Sequence, residues 1–86
     1  MIHLTRYCAA PLAGKNILVN CIIPGPFPRI DWIEYPNFLN YLGDKTMLGR
    51  VGHPKEIVGP VALLCSTASS FMTGASITVD GGWTAW

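Results

Sequence analysis

Charge is scarce in these 86 residues: Asp, Glu, Lys and Arg make up 13%, against about 25% in an ordinary soluble domain. The six basic and five acidic side chains are scattered singly, for a net charge of +1. That leaves no basic stripe for nucleic acid and no polybasic patch for a membrane surface. Long apolar runs are missing too. "ILVNCII" and "IVGPVALLC" are each interrupted and fall far short of the ~20 residues of a spanning helix. "MIHLTRYCAAPLAGK" lacks a basic start followed by an apolar core, so it does not read as a signal peptide. Cysteine is limited to Cys8, Cys21 and Cys65, an odd number without a CxxC, and neither His3 nor His53 has a ligand-spaced partner. No metal site is expected. The thiols read as small buried hydrophobes, and a reducing, cytoplasmic location is the expectation.

What the chain has in excess is apolar side chain. Half the residues are hydrophobic and the mean hydropathy is +0.35. A domain of this size buries only roughly 60–65% of its extended surface, so its core is thin. With a membrane span excluded by length, the composition reads as a piece of a larger interior.

The pattern along the chain is α/β. Residues 1–13 read as a helix with a stripe of Leu4, Tyr7, Cys8 and Leu12, stopped at Gly14 and disturbed by Pro11. Ile17–Ile23 is β-branched and almost continuously apolar, the pattern of a parallel strand covered on both faces. It runs into Pro24-Gly25-Pro26-Phe27-Pro28. Residues 30–43 are aromatic and amphipathic, giving two short helices broken near Pro36, and "KTMLGRVG" is a loop. Pro54 suits a first helical turn with Glu56 at its dipole, opening a helix to Ser66 with Ile57, Val61, Leu64 and Cys65 on one face. Pro60 is expected to kink it. "SITVD" alternates as a second strand closed by Gly81-Gly82. The helix-bearing segment between the strands calls for a parallel crossover rather than a hairpin. Two parallel strands do not stand alone in water, so their neighbours are expected outside this chain.

Four stretches in order, "VNCIIPG", "LGRVGHPKE", "STASSFMTG" and "VDGG", resemble the C-terminal third of the short-chain dehydrogenase/reductase family, over essentially the whole chain. The "PGPFP" loop and "DGGWTAW" ending are most similar to its gluconate 5-dehydrogenase-like and 3-oxoacyl-carrier-protein reductase-like members. The resemblance implies residues 1–86 of a doubly wound, Rossmann-like parallel-sheet domain, here two strands and three to four helices. It implies NAD or NADP as cofactor and interconversion of a carbonyl and an alcohol on a small polar or acyl substrate. Pro24, Gly25, Pro26 and Phe27 would line the nicotinamide side of the cofactor pocket, and Trp32, Tyr35 and Phe38 would belong to a flap over the substrate.

Departures from the family pattern are as informative. There is no glycine-rich strand-to-helix turn for a pyrophosphate. Tyr41 and Lys45 match the family's Tyr-x-x-x-Lys spacing, but they follow the Pro-Gly strand and so lie out of place. No catalytic residue is therefore assigned, and the chain alone is expected to be inactive and not to bind dinucleotide. Met1–Arg6 resembles the middle of the family's long helix, so the reading frame is expected to continue upstream to the tyrosine–lysine pair. The competing expectation is a non-catalytic module that pairs with a full-length relative. A homo-oligomer through the 54–66 helix and the 76–80 strand is the partner the resemblance implies.

Overall fold

The computed structural model describes residues 1–29 and 35–86. The order of elements is α1 (Ile2–Ala13), β1 (Cys21–Pro24), α2 (Pro36–Asp44), α3 (Val58–Leu64) and β2 (Ser76–Val79). Three short 3-10 turns, Pro54–Ile57, Thr67–Ser69 and Trp83–Ala85, complete the order. β1 and β2 form a two-stranded sheet. Cys21 N–H donates to Ala75 O at 3.0 Å and Gly25 N–H to Val79 O at 2.9 Å. Both strands advance together, so they run parallel and the fold is α/β as the spacing required. No described helix is long and apolar enough to cross a membrane.

The chain divides into two compact units, residues 1–23 with 59–77, and residues 24–58 with 78–86. In the first, α1 begins without a side-chain cap, and Thr5 donates from both its N–H and its hydroxyl to Met1 O. Its inward face differs from the expected stripe. Thr5 and Ala9 are buried, whereas Leu4 is 59% and Tyr7 80% exposed. Small side chains explain the choice: the Ala9 methyl lies 3.6 Å from where a Cβ on Gly74 would stand. A bulkier residue on that face would hold helix and turn apart. The helix stops at Ala13, but Gly14 stays right-handed and Asn16, at φ 59°, makes the left-handed reversal. Ile17 N–H then returns to Leu12 O at 3.1 Å.

β1 is shorter than the expected Ile17–Ile23, and it is not buried on both faces, since Ile17 and Leu18 are exposed and Cys21 to Ile23 only half-buried. Ahead of Ser76 the facing chain bends at Gly74, whose φ is 70° and whose N–H donates to Val19 O at 2.7 Å. Side chains fasten the gap. Asn20 donates through Nδ2 to Met72 O and accepts from Ala75 N–H through Oδ1, both at 3.0 Å, and Val19 N–H donates to Thr73 Oγ1. The cysteines also depart from the buried expectation: Cys8 and Cys21 are half-buried and Cys65 is exposed.

In place of one helix kinked at Pro60, the segment changes helix type. Residues 54–57 form a 3-10 turn and the α-helix proper starts at Val58. Pro60 therefore falls in the first α-helical turn, where a missing N–H costs little. The helix ends at Leu64 rather than Ser66, because Ser66 caps the next 3-10 turn, accepting from Ala68 N–H. In the second unit α2 begins with Pro36 at its first position, where the sequence placed a break. The helix expected before it lies outside the described residues.

Candidate functional site

The residues that draw most of the sequence argument, the loop after β1 and the turns after α2 and β2, belong to the second unit. Its centre is Thr46, 2% exposed. Thr46 Oγ1 stands 2.9 Å from Gly43 O and 3.0 Å from Arg50 O, and accepts from Arg50 N–H at 3.2 Å. One hydroxyl thus folds the 43–50 turn around itself. Arg50 meets Glu56 as a fork, Nη1 to Oε1 at 2.7 Å and Nη2 to Oε2 at 2.9 Å. His53 N–H also donates to Glu56 Oε1, and His53 Nδ1 accepts from Lys55 N–H. His53 thus caps the 3-10 turn that opens at Pro54. The Arg50 guanidinium first, and the His53 amide second, hold the Glu56 carboxyl down at about 2.

The Pro24–Phe27 loop is set against this frame. Gly25 N–H donates to Val79 O, and Gly52 N–H to Pro26 O at 2.9 Å. A Cβ on Gly25 would lie 2.6 Å from Asp80 Cα, closer than real Cβ contacts come. Glycine at 25 thus has a reason inside the protein, the approach of the Asp80 backbone. Asp80 itself is absorbed by the last turn. Its Oδ1 accepts from Gly82 N–H and its Oδ2 from Thr84 N–H and Oγ1, which lowers its pKa, the Thr84 hydroxyl contributing most. Gly81 and Gly82 both carry positive φ, 63° and 89°, so this turn does require glycine.

A cavity of about 150 Å³ opens among these pieces, with Pro26, Phe27, Leu48, Val51 and Val79 as apolar walls and Arg50, Glu56 and Asp80 at its polar side. Ligand pockets for drug-sized molecules run to about 300–1,000 Å³, and this cavity is smaller. Its charged groups are already engaged, Arg50 with Glu56 and Asp80 with Gly82 and Thr84. Of the four residues expected at a cofactor, Pro26 and Phe27 line the cavity, Gly25 packs on Asp80, and Pro24 is exposed at the end of β1. Tyr35 and Phe38 are exposed and do not line it. Trp32 lies outside the described residues. The loop presents one wall of backbone and apolar side chain, and the 86 residues contain no glycine-rich strand-to-helix turn.

Tyr41 and Lys45 do meet, but through the wrong atoms for proton transfer. Lys45 Nζ stands over the Tyr41 ring, 5.0 Å from its centroid, a cation–π contact. Lys45 O accepts from the Trp86 indole at 3.1 Å. Sequence reasoning missed the interior roles of Thr46 and Asn20. A polar residue alone in an apolar run was the signal available for Asn20; Thr46 offered none.

Comparison with known proteins bears on the same segments. A family model described as enoyl-(acyl carrier protein) reductase matches residues 1–84. Galactitol 2-dehydrogenase (L-tagatose-forming) of Cereibacter sphaeroides is 40% identical over 87 residues, covering 98% of this chain and 34% of that protein. A crystal structure of a short-chain type dehydrogenase/reductase from Mycobacterium marinum superposes with a TM-score of 0.88 at 38% identity, over 99% of this chain and 34% of the other. 4-Hydroxyisoleucine dehydrogenase complexed with NADH gives a TM-score of 0.87 at 31% identity, over 99% and 36%. The chain spans about a third of the length of the relatives it matches. It belongs to the short-chain dehydrogenase/reductase family.

Proposed function

We propose that residues 1–86 act as the C-terminal part of an NAD(P)-dependent oxidoreductase domain that interconverts a carbonyl and an alcohol on a small polar or acyl substrate. The observation that carries this reading is the family match over residues 1–84, with the Pro24–Phe27 loop leaving the end of a parallel strand. Ligands in open parallel sheets gather outside the carboxyl ends of the strands, which is where this loop lies. In that setting the dinucleotide supplies or takes the hydride. Pro24, Gly25, Pro26 and Phe27 close one side of its nicotinamide pocket and exclude water there. Trp32, Tyr35 and Phe38 bound the substrate. The acid–base pair comes from residues other than these 86.

The test is a chimera in which residues 1–86 replace the matching third of galactitol 2-dehydrogenase. Saturable binding of NAD(H) or NADP(H), with reduction of a ketone or oxidation of a polyol, is the expected result. A folded chimera that binds neither dinucleotide would overturn the reading.

A second reading draws on exposed apolar side chains. α3 buries none of its residues, and Val58, Val61 and Leu63 are exposed. A non-catalytic module that pairs with a full-length relative, or a homo-oligomer joined through the 54–66 helix and the 76–80 strand, would cover them. Co-purification with a full-length relative, without any dinucleotide requirement, would favour it.

A further inference from the structure

Gly52 sits where two contacts to the candidate cofactor loop converge. Its N–H donates to Pro26 O at 2.9 Å, and the Phe27 ring lies over its Cα. A Cβ built on Gly52 would stand 2.6 Å from Phe27 Cε1 and 2.8 Å from Cδ1 and Cζ. Real Cβ atoms essentially never come that close, so a side chain at 52 forces something to move.

The backbone does not explain the glycine. Gly49, Gly74, Gly81 and Gly82 have positive φ, and Gly52 does not. An L-residue would adopt its conformation without strain, so the demand for glycine is one of space alone. Nor is the frame around Gly52 free to yield. Arg50 is held by the fork to Glu56 and by its N–H on the buried Thr46 hydroxyl, while Glu56 also accepts from His53 N–H. Phe27 faces a cavity of about 150 Å³ on which it borders. The ring has room to swing and the 46–56 frame does not.

We propose that Gly52 is a positioning residue for the Pro24–Phe27 loop: its bare Cα seats the Phe27 ring, its N–H fixes the Pro26 carbonyl, and together they set where the loop meets a nicotinamide dinucleotide. The proposal rests on the functional reading above for the identity of the ligand, not for the latch itself. The loop is thereby positioned from its own unit, by steric fit to a hydrogen-bonded turn. A side chain at 52 displaces Phe27 first and weakens the Pro26 contact as a consequence, so shrinking Phe27 removes the conflict.

Two measurements test this, on Gly52→Ala, Phe27→Ala and the double variant. In the chimera, amide exchange at position 52 reads the bond to Pro26 with no dinucleotide present. The expected result is protection in the wild type, loss of about tenfold in Gly52→Ala, and its return in the double variant, since residues in contact are energetically coupled. An unprotected wild-type amide, an unchanged Gly52→Ala, or no return in the double variant would each overturn the latch. In the chimera, Gly52→Ala is expected to raise KM for the dinucleotide about tenfold with kcat little changed, and to add nothing on top of Phe27→Ala. A glycine needed only for packing would lower stability and leave KM alone, and that outcome overturns the proposal. If the chimera binds no dinucleotide, the functional reading fails and the exchange measurement still decides the latch.

Discussion

Glu56 takes three hydrogen bonds, two from Arg50 and one from the His53 amide, and it takes them at the surface: the Arg50 and Glu56 side chains are 54% and 42% exposed. Solvent screens such a pair, so its worth lies in fixing the 50–56 turn rather than in a large Coulombic gain. The pH dependence follows from sign. The Glu56 carboxyl is lowered from an ordinary value of 4.5 to about 2, so the folded state favours the ionised form. Its contribution is fully present above pH 4.5 and is lost as pH falls through that value towards 2. Asp80, also lowered, acts in the same direction. Thermal midpoints between pH 5 and 2 in the chimera should therefore fall less steeply in Glu56→Gln than in wild type, with the Gln variant already lower at neutral pH. Parallel curves for the two proteins would show that the fork does not form in solution. Asn16 makes the complementary point about what single residues reveal. Its left-handed φ of 59° is within the range asparagine tolerates, so the helix ends at Gly14 as expected while the left-handed reversal falls two residues later on Asn16.

Elements were legible where local chemistry and tertiary demand coincide. Pro36 and Pro54 begin helical turns because a proline in a first turn forfeits no hydrogen bond, and that rule needs no knowledge of neighbours. Strand type was legible from β-branching and from the long separation of the two strands. Packing was not. The stripe of Leu4 and Tyr7 has the right period, but the face chosen is Thr5 and Ala9, because close approach to Gly74 selects for small volume rather than hydrophobicity. The site loop was legible only through family resemblance, since the contact of Gly52 with Phe27 joins residues far apart in sequence. The hinge between the 3-10 turn and α3 supplies a test of the element-level account. Placed mid-helix, Pro60 would cost about 3 kcal/mol relative to alanine. Placed in the first turn, it should cost little, and Pro60→Ala should shift stability by less than about 1 kcal/mol in either direction. A denaturant midpoint that rises by the full interior penalty would mean that the α-helix begins before Val58. The finer resemblance to gluconate 5-dehydrogenase-like and 3-oxoacyl-carrier-protein reductase-like members is not decided by the comparisons, since the named relatives act on different substrates.

At the scale of the whole molecule the balance of covered and uncovered apolar surface decides what the 86 residues do alone. Among the described residues Ala9 is the one buried hydrophobic side chain, while Leu4, Tyr7, Val61, Leu63 and Phe71 are exposed in the first unit and Tyr35, Phe38, Tyr41, Leu48 and Trp86 in the second. A soluble monomer seldom leaves such a set uncovered, because contiguous apolar surface drives association. The relatives are about three times as long as the matched segment, which supplies a source of cover that the family reading requires. The polar interior points the same way. Thr46 and Ser69, the most buried side chains, satisfy their hydroxyls within their own turns, so local geometry is settled even where the apolar core is thin. Residues 1–86 alone should therefore keep helical secondary structure, bind ANS strongly and self-associate. They should also show no saturable binding of NAD(H) or NADP(H) in a nicotinamide-fluorescence titration. The loop presents one wall, and the cavity beside it, at about 150 Å³, is smaller than an ordinary ligand pocket. Joining the same residues to the remainder of a family domain should abolish ANS binding and restore a monodisperse, cooperatively unfolding particle. A sharp, ANS-silent monomer formed by the 86 residues alone would refute this account, and dinucleotide binding by that monomer would place the whole site inside them.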